Sequence, residues 1–211
     1  MCVLAFSPAC VMILPSCMGK VNPTTKEDDF MGKKIVVITG SPRKAGNSFA
    51  MTEAFIAAAE KKGHTVTRFD AAKMNVSGCR ACETCFKTGK PCSFNDDFNT
   101  IAPAIQAADA VVFSTPVYWY SIPSQIKAVI DKLFSFYNAK VDLSGKECAL
   151  ISCCEESDVS VFDGVRIPIE RSAALLNWKM VGAVMVPAVV GVGDIDKTDG
   201  CEQAAKLAEK F

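Results

Sequence analysis

The 211-residue chain is 50% hydrophobic and 22% charged, enough apolar material for one well-packed domain. Lys plus Arg and Asp plus Glu both number 23, without a run of five like charges, which argues against nucleic acid or an anionic membrane as partner. His64 is the only histidine and follows Gly63 in a turn, where it is expected to face solvent; His-based nucleophilic and zinc-hydrolase mechanisms are therefore disfavoured.

Residues 1–18 are largely apolar, but no basic residue precedes Lys20, and Ser7, Pro8 and Pro15 break the run. Neither a secretory leader nor a membrane span fits that pattern. Leu14-Pro15-Ser16-Cys17 is close to a lipoprotein cleavage box, yet Met31-Gly32-Lys33-Lys34 stands directly before the first strand and points to an over-long start. Residues 1–30 are read as a poorly ordered N-terminal extension and 31–211 as the domain.

From there the pattern predicts strand 34–39, helix 47–62 closed by Gly63, strand 65–70, a cysteine-bearing insertion 74–95, helix 97–108, strand 110–115 and helix 123–137. Strand 147–152, helix 165–178, strand 180–187 and a terminal helix from about 199 follow. Strands alternating with helices imply an α/β, doubly wound, five-stranded parallel sheet of order 2-1-3-4-5, with helices on both faces.

The first strand carries the continuous β-branched run Ile35-Val36-Val37-Ile38, as a strand buried on both faces does. It enters Gly40-Ser-Pro-Arg-Lys-Ala-Gly-Asn-Ser48, a loop that offers the Ser41 and Ser48 hydroxyls, the Arg43 guanidinium and a hinge at Gly46. Asn47 suits the N-cap of the next helix, whose free N–H groups and positive dipole end would meet a phosphate. This is not a P-loop, since Gly40 and Gly46 are one residue too far apart and Asn47 replaces the lysine. Nor is it the dinucleotide fingerprint, because position 42 is proline. The later Gly191-Val192-Gly193 lacks a third glycine and reads as a loop after the last strand.

The third strand ends in Thr115-Pro116-Val117-Tyr118-Trp119-Tyr120, and the helix that follows starts near Pro123 with apolar residues at 126, 129, 130, 133 and 134. The carboxyl ends of strands 1 and 3 flank the switch point of such a sheet, so the two loops should meet there. Amides around Val117 and Tyr118, with Tyr118 or Trp119 as a flat wall, suit a planar heteroaromatic ring; the alternative is that these aromatics belong to the core or to a dimer interface.

Cys79, Cys82, Cys85 and Cys92 form Cys-x2-Cys-x2-Cys-x6-Cys. Disulfides are disfavoured in a cytosolic α/β enzyme, and the spacing reads as thiolate ligands. Structural zinc usually takes two cysteine pairs across a longer spacer, whereas successive x2 intervals match ferredoxin cluster runs. A [4Fe–4S] cluster is the favoured reading, with free thiols and zinc as alternatives. Arg80, Lys87 and Lys90 would offset its charge, Gly78 and Gly89 would let the loop turn, and Asp96-Asp97 would cap the next helix. Cys148, Cys153, Cys154 and Cys201 read as small buried hydrophobes, the middle two near the ligand.

With these segments in view, residues 31–211 resemble the flavodoxin-like NAD(P)H-dependent FMN reductase family. The residues that carry the likeness are the 40–48 and 115–119 loops, Ile130-Asp131-Lys132, and Leu176-Asn177-Trp178 leading into Val181-Gly-Ala-Val-Met-Val. The resemblance implies that Ser41, Arg43, Asn47 and Ser48 bind the FMN phosphate and that Thr115, Pro116, Val117, Tyr118 and Trp119 lie along the ring. Ser152-Cys153-Cys154-Glu155 would approach the ring as a third loop. The position of the cysteine loop is similar to that of the iron–sulfur flavoprotein branch. So read, the protein is a cytoplasmic FMN-dependent oxidoreductase that takes electrons from NAD(P)H or a reduced carrier and passes them, with a cluster relay, to a small-molecule or redox-protein acceptor. The resemblance also implies a homodimer or homotetramer. The competing readings are a flavodoxin-type carrier and a thiol or metal sensor. No acid-base dyad is apparent, and the flavin would carry the chemistry.

Overall fold

The computed structural model describes residues 32–211; the expected extension 1–30 lies outside the described residues. Five parallel strands, β1 (Lys34–Thr39), β2 (Thr65–Asp70), β3 (Ala110–Pro116), β4 (Glu147–Cys153) and β5 (Lys179–Val186), form one sheet in the order β2-β1-β3-β4-β5. The predicted order is the observed one. Register places Ile35 beside Val66 and Ala110, and β4 meets β5 with one irregularity between Cys148 and Ala149.

The inner strands β1, β3 and β4 are buried almost throughout, whereas the edge strands β2 and β5 are half-exposed. Side chains alternate across the sheet and build a core on each face. Ile35, Val37, Val112 and Ile151 pack under α1 (Asn47–Lys61) and, further along the chain, α6 (Gly200–Leu207), through Met51, Phe55 and Leu207. Val36, Ile38, Phe113 and Leu150 face α2 (Phe98–Ala107), α3 (Ser124–Lys132) and α5 (Asp163–Leu175), through Ile101, Ile126 and Val165.

The helix expected over 123–137 divides into α3 and α4 (Phe134–Asn138). Leu133 N–H donates to Ile130 O and Phe136 N–H to Leu133 O, tightening the chain so that Leu133 and Phe136 both enter the core. Phe136 then meets Phe86 of the cysteine loop at 5.9 Å and Phe98 of α2 at 6.4 Å.

His64 departs from expectation. It is 4% exposed, and its Nδ1 accepts a hydrogen bond from Lys33 N–H at 3.0 Å, joining the end of α1 to the start of β1. A turn residue is held inside because β2 must begin beside β1: Thr65 N–H donates to Lys33 O.

Candidate active site

Loops at the carboxyl ends of β1, β3, β4 and β5 enclose a cavity of about 360 Å³. Ser41, Arg43, Gly46, Asn47 and Ser48 line one part of it, and Pro116, Val117, Tyr118, Trp119 and Tyr120 another. The two loops do meet, where the strand order reverses.

At the first loop the N-cap of α1 is Gly46, not Asn47; Gly46 O accepts from Phe49 and Ala50 N–H. The first turn carries no acidic side chain, so the dipole end stays electropositive. Asn47 is the first helical residue, and its side chain is already engaged: Nδ2 donates to Gly191 O at 2.9 Å, while Oδ1 accepts from Gly193 N–H at 3.1 Å and Ile195 N–H at 3.3 Å. Its job is to tie the loop after β5 to α1. Arg43 is exposed, and its guanidinium makes no hydrogen bond or ion pair among the described residues. Gly40 has no room for a side chain, since a Cβ there would stand 2.5 Å from Thr115 Oγ1 and 2.8 Å from Ile126.

The second loop corrects the sequence reading in two respects. Val117 N–H donates to Cys153 O and Tyr118 N–H to Ser121 O, so those amides serve the scaffold and are not offered to a ring. Thr115 is fully buried with its hydroxyl on Pro116 O, and it does not line the cavity. In exchange the loop closes as a tight turn in which Ser121 N–H returns to Tyr118 O at 2.9 Å. Trp119 (φ 47°) and Tyr120 (φ 61°) occupy its two central positions. Two left-handed central residues define a type I′ turn, which ordinarily takes Asn and Gly. Trp119 is 95% exposed and Tyr120 60%, so their conformation is not set by burial. From behind, Gly164 of α5 lets the turn approach: a Cβ there would lie 1.8 Å from Tyr120 O.

The third wall is Cys153, Cys154, Glu155 and Glu156, with Val161, Val189 and Val190. Backbone bonds from Cys154 N–H to Val186 O, Val189 N–H to Cys154 O and Ala188 N–H to Glu156 O join the loops after β4 and β5. Burial pushes the Cys153 thiol up to about 12, so it lines the cavity uncharged. Tyr120, Glu156 and Val189–Val190 are wall residues that sequence reasoning missed. Tyr120 was legible as the end of the aromatic run; the others come from loops without a motif.

The four spaced cysteines gather at a second, small cavity of about 20 Å³, completed by Arg80, Phe94, Lys132 and Ser135. Cys79 and Cys82 are exposed, Cys85 and Cys92 half-buried. Burial raises the Cys85 thiol, and the nearby Cys82, Cys79 and Cys92 raise it further; Cys82 is lowered by the Thr84 hydroxyl, 3.1 Å from its sulfur. Ala81, Glu83 and Phe86 take positive φ between the cysteines, which coils the segment tightly. Among the described residues no three His, Cys, Asp or Glu side chains are drawn close enough to hold a single metal ion. Asp96 closes the loop: it caps α2 by accepting Phe98 N–H, accepts from Ser77, and pairs with Lys132, both partners being almost fully buried.

A doubly wound parallel sheet whose switch-point cleft pairs an uncommitted arginine and a helix N-terminus with an aromatic turn defines a flavodoxin-like protein built for a phosphorylated, ring-bearing cofactor. The model of the NADPH-dependent FMN reductase family matches residues 33–193. The chain belongs to that family, as an NAD(P)H-dependent FMN oxidoreductase of its iron–sulfur flavoprotein branch. It is 31% identical over 187 residues to an iron–sulfur flavoprotein of Archaeoglobus fulgidus, covering 84% of this chain and 80% of that one. An iron–sulfur flavoprotein of Methanosarcina thermophila is 30% identical over 119 residues, covering 56% and 62%. Among solved structures, NAD(P)H:quinone oxidoreductase from Methanothermobacter marburgensis superposes with a TM-score of 0.62 at 17% identity, over 84% of this chain and 95% of that one. An FMN-dependent NADH-azoreductase from Bacillus anthracis in complex with FMN gives 0.65 at 14%, over 84% and 98%. These last two are likenesses of fold.

Proposed function

We propose that the protein passes electrons from NAD(P)H, through FMN held in the larger cavity, to a small-molecule or redox-protein acceptor, with a [4Fe–4S] relay on Cys79, Cys82, Cys85 and Cys92. FMN supplies the hydride and single-electron chemistry, and a cluster supplies one-electron steps. The observation that carries the reading is Arg43: an exposed guanidinium without a protein partner, beside the N-terminus of α1, on a cavity whose second wall is aromatic and whose third combines Cys153, Cys154 and valines with Glu155 and Glu156.

On this reading Arg43, with the Ser41 and Ser48 hydroxyls and the first-turn N–H groups, holds the phosphate. Pro116, Val117, Tyr118 and Trp119 would hold the ring, and Thr115 would act from behind, through its contact with Pro116. The uncharged Cys153 and the valines at 161, 189 and 190 keep water from the opposite wall. The donor set of the smaller cavity fits a cluster, because four thiols converge on one pocket and the buried Ser135 hydroxyl within it has no acceptor. No helix among the described residues is long and apolar enough to cross a membrane. A cytoplasmic location and a homodimer or homotetramer are part of the proposal, the exposed Trp119 and Tyr120 at the cavity supporting the subunit contact alone.

The test is anaerobic purification followed by an absorption spectrum, flavin identification, iron and sulfide analysis, and NADH or NADPH oxidation with quinone acceptors. FMN with about four iron and four sulfide per chain, together with turnover, is the expected result. FAD as sole flavin removes the cavity assignment; zinc in place of iron removes the cluster; bound FMN with no NAD(P)H oxidation leaves a carrier.

A further inference from the structure

Ser135 lies on α4, is 3% exposed, and lines the pocket of the four cysteines. Its Oγ has no hydrogen-bond partner. Buried helical hydroxyls ordinarily return to the carbonyl four residues back. Thr52 does so to Ser48 O at 2.7 Å and Ser172 to Pro168 O at 2.8 Å; Ser135 does not. The other polar group on this wall, the Lys132 ammonium, is paired with Asp96. What remains is a neutral donor, excluded from solvent, on a cavity whose other polar atoms include four sulfurs. Thiolate and sulfide sulfur accept hydrogen bonds, and they accept more strongly as negative charge accumulates on them.

We propose that the Ser135 hydroxyl donates a hydrogen bond to a sulfur of the cluster held by Cys79, Cys82, Cys85 and Cys92 and so raises its reduction potential, an inference that rests on the cluster reading above. The reduced state carries one more negative charge and gains more from the donor, and hydrogen bonding to sulfur is one of the levers that sets such potentials. Ser135 is a positioning and tuning residue, not a ligand.

The experiment uses the full chain with FMN, prepared anaerobically, as wild type, Ser135→Ala and Ser135→Thr. Iron and sulfide are measured first, and each sample is then titrated with reductant while the cluster is followed by electron paramagnetic resonance and the flavin by absorbance. All three proteins should hold the same iron. In Ser135→Ala the ratio of oxidised to reduced cluster at a fixed potential should rise about tenfold, a fall of about 59 mV for one electron; Ser135→Thr should stay near wild type, and the flavin midpoint should not move. Full iron with an unchanged cluster midpoint in Ser135→Ala overturns the role of Ser135 and leaves the cluster intact. Wild-type protein without iron overturns both. Loss of iron in both variants shows a packing role and overturns the proposal too.

Discussion

Arg43 and Asn47 stand four residues apart in one loop and have opposite tasks. The Asn47 amide is spent on three backbone groups of residues 191–195, whereas the Arg43 guanidinium is spent on none. Charge-assisted hydrogen bonds contribute about 1.5–3 kcal/mol each, so Arg43→Ala should weaken FMN binding by roughly tenfold or more while leaving the urea midpoint of the apoprotein unchanged. Asn47→Ala strips Gly193 and Ile195 N–H of their acceptor and should cost about 1–3 kcal/mol of stability. Flavin titration by fluorescence and urea unfolding of both variants separate the two tasks; equal FMN affinity in Arg43→Ala refutes its assignment to the phosphate.

His64 allows a pH prediction at the same scale. Burial first, then Lys62 and Lys33, lower its pKa from 6.5, so the folded state prefers the neutral ring. Its contribution to stability is therefore complete above the unfolded value near 6.5 and is lost as the pH falls below it. As the only histidine, it should account for the slope of unfolding free energy between about pH 7.5 and 5.5. His64→Gln should flatten that slope, and a slope that persists would place the titration elsewhere.

Among elements, the turn at Tyr118–Ser121 has bulky residues that contradict its backbone. Left-handed bulky residues cost on the order of 1–3 kcal/mol each, and neither Trp119 nor Tyr120 recovers this through burial. Aromatics in place of the relaxed Asn-Gly pair fit the use in binding proposed for this turn. The double substitution Trp119→Asn, Tyr120→Gly should raise stability by about 1–2 kcal/mol and weaken FMN binding or relieve quenching of its fluorescence. A lower melting temperature, with flavin handling unchanged, would make these residues packing elements. The cysteine loop shows the same tension at Ala81, Glu83 and Phe86, and it is held by the Asp96–Lys132 pair, the Phe86–Phe136 contact and a bond from Cys92 N–H to Asn99 Oδ1 at 2.8 Å.

On the scale of the whole molecule, two sites draw on different parts of one sheet. The larger cavity is built from loops after β1, β3, β4 and β5, and the cysteine pocket from the segment after β2 together with α3 and α4. Single Cys→Ser changes at 79, 82, 85 or 92 should therefore lower iron content while leaving FMN stoichiometry near one per chain. Loss of FMN in step with iron would show that the two loops fold as one unit; full iron after two substitutions would refute the ligand set.

The strand order and the two-faced core were legible because continuous β-branched runs and helical periodicity are local signals of burial, and alternation of the two leaves few topologies. That the four cysteines share one pocket was legible because their close spacing is also local. Tertiary structure decided what those signals leave open: the Val117 and Tyr118 amides serve Cys153 and Ser121, Thr115 lies behind the wall, His64 is inside, and Asn47 binds a loop more than 140 residues away. An orphan donor or acceptor takes whichever partner the packed chain brings within hydrogen-bond reach. That partner is chosen by the closure of distant loops, which no spacing along the chain records.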